Sequence, residues 1–525
     1  AGRARLLLAV VAALFGISVA LALGVVPLKM LPFDNKNEFQ IVVDMPEATT
    51  LETTDSVVRD LEAYLQTRPE VTHFTSYVGL ASPMDFNGMV RHYYLRRGPH
   101  VADVRVGLLH RDERELGSHE LVLTIRRDVE EIGRRHGASL KLVELPPGPP
   151  VLSTVVAEVY GSPHHRYEDL AAAARIVEEQ MKREEAVVDV DTSIEAPQRK
   201  LAFRVDREKA ALHGISTEDV ARLVALALDG ASAGTLHEGR EQNELPIVLR
   251  LPREARSSAS ALAALPVQGR SGHLVQLGEI GRFEEGVADQ TIMHKNQERV
   301  VFVTGEMAGR GPAYAVLNLG AYFKKHPLPE GIRIDWRGEG EWKITVDVFR
   351  DLGIAFAAAL LAIYMLLVYE TRSYALPGVI MLSIPLTMIG IMPGFSLLNL
   401  ITGGTAGGYQ NPIFFTATAM IGMIALAGIV VRNGIILIDF IRVSVEQGLS
   451  LDEAILQSGA VRFRPIFLTA GTTLLGAWPI TLDPIFSGLA WSLIFGLFVS
   501  TAFTLVVIPV VYQLLYRNKK AEVRP

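Results

Sequence analysis

The sequence predicts a membrane α-helical protein with six transmembrane helices joined to an α+β body of split βαβ units that carries an insertion. Three observations lead there. Apolar residues pile up at the two ends of the chain, in stretches long enough to cross a bilayer. All 13 histidines lie between His73 and His326, in the more polar middle. That middle repeats the order strand, helix, strand.

The averages alone are less telling. At 525 residues the chain has room for about three or four domains. Apolar residues make up 49% and charged residues 21%, which excludes a disordered, fibrous or collagen-like chain. A net charge of −6 gives no sign of a nucleic-acid partner. No cysteine is present, so disulfide scaffolds, thiolate metal sites and cysteine nucleophiles are excluded.

A bilayer core of about 30 Å needs about 20 apolar helical residues. Leu6–Leu28 meets this without a charge, and residues 1–29 form the first membrane segment. Residues 352–369, 374–396, 412–438 and 487–515 supply four more spans. Ile466–Leu482 is shorter and is read as a span entered just after Pro465, a good helix-entry residue. Arg3 and Arg5 before the first span suit a signal peptide, but a signal core is only about 7–15 residues long. The first residue is Ala rather than Met, so the start is expected to be processed or truncated.

Lys and Arg set the orientation. Arg3 and Arg5, Arg372, then Arg442, Arg462 and Arg464, and the tail residues Arg517, Lys519, Lys520 and Arg524 fall on one side. Loops 397–411 and 483–486 on the other side have no Lys or Arg. Both termini are therefore expected in the cytoplasm, and residues 30–347 outside it. In a Gram-negative cell that is the periplasm, and the membrane is the inner one.

The outer region reads as four βαβ units. The first has strand 39–43, helix 51–66 with Val57, Val58, Leu61 and Leu65, and strand 71–78. The second has strand 103–109, a helix with Val122, Ile125, Val129 and Ile132 at helical spacing, and strand 139–144. The run Pro146-Pro147-Gly148-Pro149-Pro150 closes a first subdomain, 30–150. The third unit has strand 154–160, a helix with Leu170, Ala174, Val177 and Met181, and strand 186–191. The fourth has strand 299–304, helix 313–325 and strand 331–336. Segments 151–195 and 297–347 thus form a second subdomain, interrupted by an insertion, 196–296, of different texture. Units of this kind suit helices on one face of an antiparallel sheet. Residues 348–525 hold the last five spans and the tail.

Ionisable groups within the spans are few, so each is informative. Arg432 follows Gly428-Ile429-Val430-Val431, six residues past the middle of its span, or about 9 Å along a helix. An unpaired Arg there costs at least about 2–3 kcal/mol and marks a functional site by default. A structural alternative is an Arg that snorkels to the interface. Asn433 beside it is a second polar group needing a partner. Arg462 and Thr469 are seven residues apart, nearly on one helical face. Arg462 alternatively anchors the positive side, and Thr469 alternatively bonds the carbonyl four residues back. Asp439 lies at the span's end and is read as interfacial. No Asp, Glu, Lys or His occupies the middle of a span. Arg does not release its proton. The chain therefore holds the fixed positive side of a proton relay, and the carboxylates must come from elsewhere.

At this point the chain resembles the C-terminal half of a resistance-nodulation-division (RND) efflux permease. The resemblance rests on motifs in order along nearly the whole chain. They are Leu31-Pro32-Phe33-Asp34, Val42–Leu51, Val205–Ala210 with Gly214-Ile215-Ser216, Leu274–Ile280, Phe349–Leu352 with Ile363-Tyr364-Met365, Gly428–Phe440, and Arg462–Ile466. It implies a periplasmic porter domain with a docking insertion in a homotrimeric, proton-driven exporter. Its partners would be a periplasmic adaptor, an outer-membrane channel and the lipid bilayer. The energy source would be the proton gradient, with no cofactor. In drug exporters of the family, two Asp of the N-terminal half pair with a Lys, an Arg and a Thr of this half. Those positions fall on Arg432, Arg462 and Thr469. Arg in place of Lys offers a planar fork rather than a point charge, so a bidentate carboxylate is expected. Six spans are half of the family's twelve. The N-terminal half is expected as a separate chain or a missing segment.

The resemblance also makes Phe74, Tyr77, Phe86 and Tyr93 the candidates for a substrate pocket, with core packing as the structural alternative. Tyr93 and Tyr94 would point to opposite faces of a strand. Met84 and Met89 are weak support for a soft-metal exporter. His164-His165 and the pair Asp189/Asp191 have no metal-ligand frame, and no metal site is expected. No catalytic triad, phosphate loop or zinc motif is present, so an enzyme is not expected. The expected cargo is hydrophobic or amphiphilic. The alternatives are a heavy-metal exporter, a half-size protein-export accessory, and a membrane scaffold or sensor. The insertion argues against the accessory, and Arg432 argues against the scaffold.

Overall fold

The computed structural model describes residues 2–516. The basic tail of Arg517, Lys519, Lys520 and Arg524 lies outside the described residues. Two compact units are present, Glu195–Thr291 and the remainder of the chain.

In the larger unit, the first subdomain is a four-stranded antiparallel sheet backed by two helices. Its elements are β1 (Glu38–Asp44), α1 (Leu51–Leu65), β2 (Val71–Leu80), β3 (Arg97–Leu108), α2 (Ser118–His136) and β4 (Ser139–Glu144). The strand order is β2-β3-β1-β4, with Ile41 opposite both Val104 and Leu142. Residues Phe39–Val43 are all buried, Gln40 included, so both faces of this central strand are covered. Thr50 caps α1 by accepting from the Thr53 amide. Gly137, at φ 68°, ends α2 in the left-handed conformation that glycine adopts freely. Val57 and Leu61 of α1 and Val122, Ile125 and Val129 of α2 pack on β1 in one core.

The second subdomain repeats the plan with β5 (Val155–Gly161), α3 (Tyr167–Arg183), β6 (Val187–Thr192), β7 (Glu298–Met307), α4 (Pro312–Lys325) and β8 (Ile332–Asp335). Strand β7 lies between β5 and β6, and β5 also pairs with β8, all antiparallel. Its core joins Val155, Ala157 and Val159, which share one face of β5, to Leu170, Val177, Met181, Val301 and Leu319.

Among the described residues six helices are long and apolar enough to cross a membrane: Arg3–Gly24, Glu341–Thr371, Ala375–Thr402, Ala417–Glu446, Leu451–Leu482 and Ser487–Tyr516. Three local expectations are corrected. The second helix begins at Glu341, well before residue 352. The fifth begins at Leu451, so Pro465 lies inside it rather than at its entry. Ser450 and Glu453 form a capping box that starts this helix upstream. Proline removes one backbone bond, and the helix continues through it. Tyr93–Leu95 is a short 3₁₀ turn, not a strand, so the opposite-face argument for Tyr93 and Tyr94 does not apply.

The unit Glu195–Thr291 has its own small core of Ala210, Ile215, Val220, Val267, Val275, Leu277 and Ile280. The antiparallel pair Arg199–Val205 and Gly281–Val287 closes it, with Phe203 opposite Phe283.

Candidate functional site

The fourth membrane helix, Ala417–Glu446, starts at Thr416, whose hydroxyl accepts from the Ala419 amide at 3.4 Å. One face carries Gly422, Leu426, Val430, Asn433, Leu437 and Ile441, all buried. Gly434 packs against Ile380 of the third helix and Ile508 of the sixth. The other face is uncovered: Ile421, Ala425, Gly428, Arg432, Asp439, Val443 and Glu446 are exposed, at steps that keep one helical stripe. Arg432 stands on that stripe. Among the described residues its guanidinium has no hydrogen bond or ion pair.

The other expected relay residues are placed differently. Asn433 is only 2% exposed, turned into the bundle. Arg462 is half-buried, with its guanidinium 5.1 Å from the Phe440 ring centre and its Nε without a partner. Phe440 lies eight residues beyond Arg432, about 12 Å along the helix. Thr469 is exposed, and its hydroxyl donates to the Ile466 carbonyl at 3.0 Å, three residues back rather than four. Arg432 and Thr469 are thus both uncovered, and Arg462 reaches the fourth helix near its far end.

A second constellation lies on the seam between the two extramembrane subdomains. Segment 81–96 folds as a flap across the sheet. Asp85 holds it by accepting from the Gly88 amide and from Arg105, each at 2.6 Å. Arg96 donates to Asp44 at 2.6 Å, to the Val43 carbonyl at 2.7 Å, and to the fully buried Asp103. Lys141 joins Asp44, at 2.9 Å, to Asp191 of β6. Two further pairs cross the seam: Arg91–Glu306 and Arg126–Asp189, each at 2.6 Å. The Arg126 and Asp189 side chains are 4% and 3% exposed. Glu306 also accepts from the Ser153 hydroxyl at 3.1 Å and from Thr154.

Burial alone would raise the Asp44 and Glu306 carboxyls, but the paired cations outweigh it. Asp44 is held well below the ordinary carboxylate range by Lys141 and Arg96. Glu306 is lowered by Arg91 and by the two hydroxyls. Burial opposes the charge of Lys141, and Asp44 and Asp191 more than restore it. Asp44, Glu306 and Lys141 therefore stay ionised.

The expected pocket residues do not gather. Phe74 packs against the first core, and Tyr77 lies on the opposite face of β2. Phe86 is 64% exposed on the flap, beside exposed Met84 and Met89. Tyr93 is half-buried, its ring centre 5.8 Å from the Arg96 guanidinium. His165 bonds the Ser162 hydroxyl. A separate cleft of about 670 Å³ opens where the first membrane helix ends, lined by Val25, Pro27, Arg310, Tyr314, Asn399 and Gln410.

The sequence pointed to Asp189 and Asp191 only as a pair on one strand. Their roles emerge from a bulge. Asp189 has φ 51°, and the β6–β7 register shifts at this point, sending the two carboxylates to different cations. The seam cations Arg91, Arg96, Arg126 and Lys141 and the carboxylates Asp103 and Glu306 were missed, and three of them leave a trace. Arg126 sits on the apolar stripe of α2, and Asp103 and Glu306 interrupt apolar strands.

The AcrB/AcrD/AcrF family model matches residues 2–516. The chain belongs to this family of RND permeases and is a partial permease. It is 28% identical over 370 residues to the swarming motility protein SwrC of Bacillus subtilis, covering 69% of this chain and 33% of that protein. It is 29% identical over 329 residues to the cobalt-zinc-cadmium resistance protein CzcA of Cupriavidus metallidurans, covering 61% of this chain and 29% of that one. The nickel and cobalt resistance protein CnrA of the same organism is 27% identical over 382 residues, covering 71% and 34%. The crystal structure of a heavy metal efflux pump shares the fold, with TM-score 0.80 and 21% identity over 98% of this chain and 50% of that one. The chain thus spans about a third of the curated relatives' length and half of the solved pump's. The family is one of transporters rather than enzymes.

Proposed function

We propose that the chain is the C-terminal half of a proton-driven RND exporter that works with an N-terminal half-permease. The observation that carries this is the uncovered stripe of the fourth membrane helix, with Arg432 unpaired upon it. An intramembrane Arg needs an anionic partner, and this half supplies none in the middle of a span. A second bundle facing the stripe would bring the carboxylates. Those carboxylates take up and release the proton, because Arg does not. Arg432, Arg462 and Thr469 hold the positive and hydroxyl side, and Asn433 braces the fourth helix from within. The assembly is a trimer of complete permeases in the inner membrane, with both termini cytoplasmic, an adaptor and an outer-membrane channel.

For the cargo, the named relatives favour a heavy-metal cation over the hydrophobic or amphiphilic compound first expected. Among the described residues no three His, Asp or Glu side chains gather as a metal site. A cation would therefore meet ligands completed by the other half, or the soft sulfurs of Met84 and Met89. The amphiphile reading retains one observation, the exposed apolar flap of Met84, Phe86 and Leu95.

The test is transport by the chain expressed with its complementary half, in a host lacking its own RND pumps. The metal reading expects lower accumulation of cobalt, zinc or cadmium, by several-fold, with no change for amphiphilic dyes. The reverse result assigns the amphiphile reading. No export of either class rejects the exporter reading.

A further inference from the structure

Residues 404–411 join the third membrane helix to the fourth as a tight hairpin, Gly404–Ala406 paired with Tyr409–Asn411. Gly407 and Gly408 form its two-residue tip, at φ 57° and 87°. A turn with both central residues at positive φ is the one that favours glycine. The base is clamped. The Asn399 side chain donates to the Ile413 carbonyl at 2.9 Å and accepts from the Ile413 amide at 2.7 Å. The hairpin is therefore a stiff extension of both helices. From the Thr416 cap to Arg432 is 16 residues, about 24 Å of continuous helix.

The tip enters the seam between the porter subdomains. On the first subdomain it meets α2 closely. A Cβ on Gly407 would lie 2.7 Å from the Leu123 carbonyl carbon and 2.8 Å from the Thr124 Cα. Gly408 lies against the Arg127 guanidinium, which also faces the Tyr409 ring at 5.9 Å. On the second subdomain, Gln410 lies against Gly309, whose φ is 84°. Leu123, Ala308 and Ala406 are all buried in one small cluster, with Val188 and Tyr409 packed against it. Three parts of the chain thus share one apolar contact: α2, the end of β7, and the hairpin. The buried Arg126–Asp189 pair flanks it.

We propose that this hairpin is the positioning element that couples the fourth membrane helix to the porter seam. It rides with α2, where its contacts are most extensive, and slides against Ala308 and Gly309. A shift of the fourth helix then opens or closes the seam. The inference rests on the exporter reading above, since it concerns how transport is coupled.

This chain has no cysteine, so the engineered pair supplies the only two thiols of this half. The complete permease would carry Ala308→Cys with Ala406→Cys, or Leu123→Cys with Ala406→Cys, and each is compared with itself before and after a mild thiol oxidant. This comparison cancels any stability cost of the substitutions. Locking Ala406 to position 308 is expected to cut transport at least tenfold, with recovery on adding reductant. Locking Ala406 to position 123 is expected to leave the rate unchanged. A static junction would tolerate both locks, so full transport by the oxidised 308/406 pair overturns the proposal. Inhibition by the 123/406 lock also overturns it, as does a 308/406 pair that never oxidises. Failure of the unmodified permease to transport would instead reject the exporter reading.

Discussion

Arg432→Ala is expected to abolish proton-coupled efflux by the complete permease while leaving it folded and assembled. Within this chain the guanidinium is exposed and bonded to nothing described, so its removal costs little here. In the proposed complex the cost would fall on carboxylates supplied by the other half. A buried carboxylate that loses its cation is destabilised by about 3–5 kcal/mol, and it responds by staying protonated. At about 1.4 kcal/mol per tenfold change, that is roughly two to nearly four orders of magnitude in the proton equilibrium. A carboxylate that no longer releases its proton cannot drive the cycle. Arg432→Lys keeps the charge but loses the planar fork, and it is expected to retain partial transport. The measurement is cargo-dependent proton flux in proteoliposomes under an imposed pH gradient, with assembly checked by size. Undiminished flux in Arg432→Ala would remove this residue from the relay.

Arg432 was legible because a charge in an apolar span stands out at any level of structure. The direction of its neighbour was not. Asn433 is one step further round the helix, and packing on the third and sixth helices turns it inward. The spans were legible from hydropathy, but the second and fifth helices start well before their apolar stretches. The fifth helix opens with Asp452, Glu453 and Arg462, so its first part resembles a loop in composition although Ser450-x-x-Glu453 signals a helix start. The strands and helices of the two subdomains follow their periodicities closely, because each has one face on a core. The seam was not legible. Its pairs join residues as far apart as Arg91 and Glu306, and no local periodicity encodes such a meeting. What sequence offers there is only the anomaly of a charge where an apolar residue is due. The hairpin is similar: Gly407-Gly408 signals a turn, but its place between two subdomains depends on the tertiary fold.

Glu306→Gln is the second substitution expected to have a large effect, and it tests whether the seam is held by charge or by shape. Glutamine has nearly the same volume, but its one carbonyl oxygen replaces only one of the two carboxylate oxygens, of which Oε1 accepts from Arg91 and Ser153 and Oε2 from the Thr154 hydroxyl. The charge opposite Arg91 is lost, and one acceptor position becomes an N–H donor. The Arg91 and Glu306 side chains are 9% and 17% exposed, so Arg91 would remain largely desolvated without its anion. Breaking such a pair costs about 3–5 kcal/mol, whereas replacing both partners by apolar residues of similar size is often nearly neutral. The double variant Arg91→Met with Glu306→Met is therefore expected to recover most of the loss. The pH dependence follows from the lowered carboxyl of Glu306, where Arg91 and the hydroxyls outweigh burial. A carboxyl with a lower pKa in the folded state adds stability above its ordinary value near 4.5, and that stability is lost as pH falls through the folded value. Wild type should thus lose protection in acid, and Glu306→Gln should lack that part of the dependence while being less stable at pH 7. Hydrogen exchange in β7 and in residues 81–96 reads both effects locally. Unchanged exchange in Glu306→Gln at pH 7 would mean that shape, not charge, holds the seam.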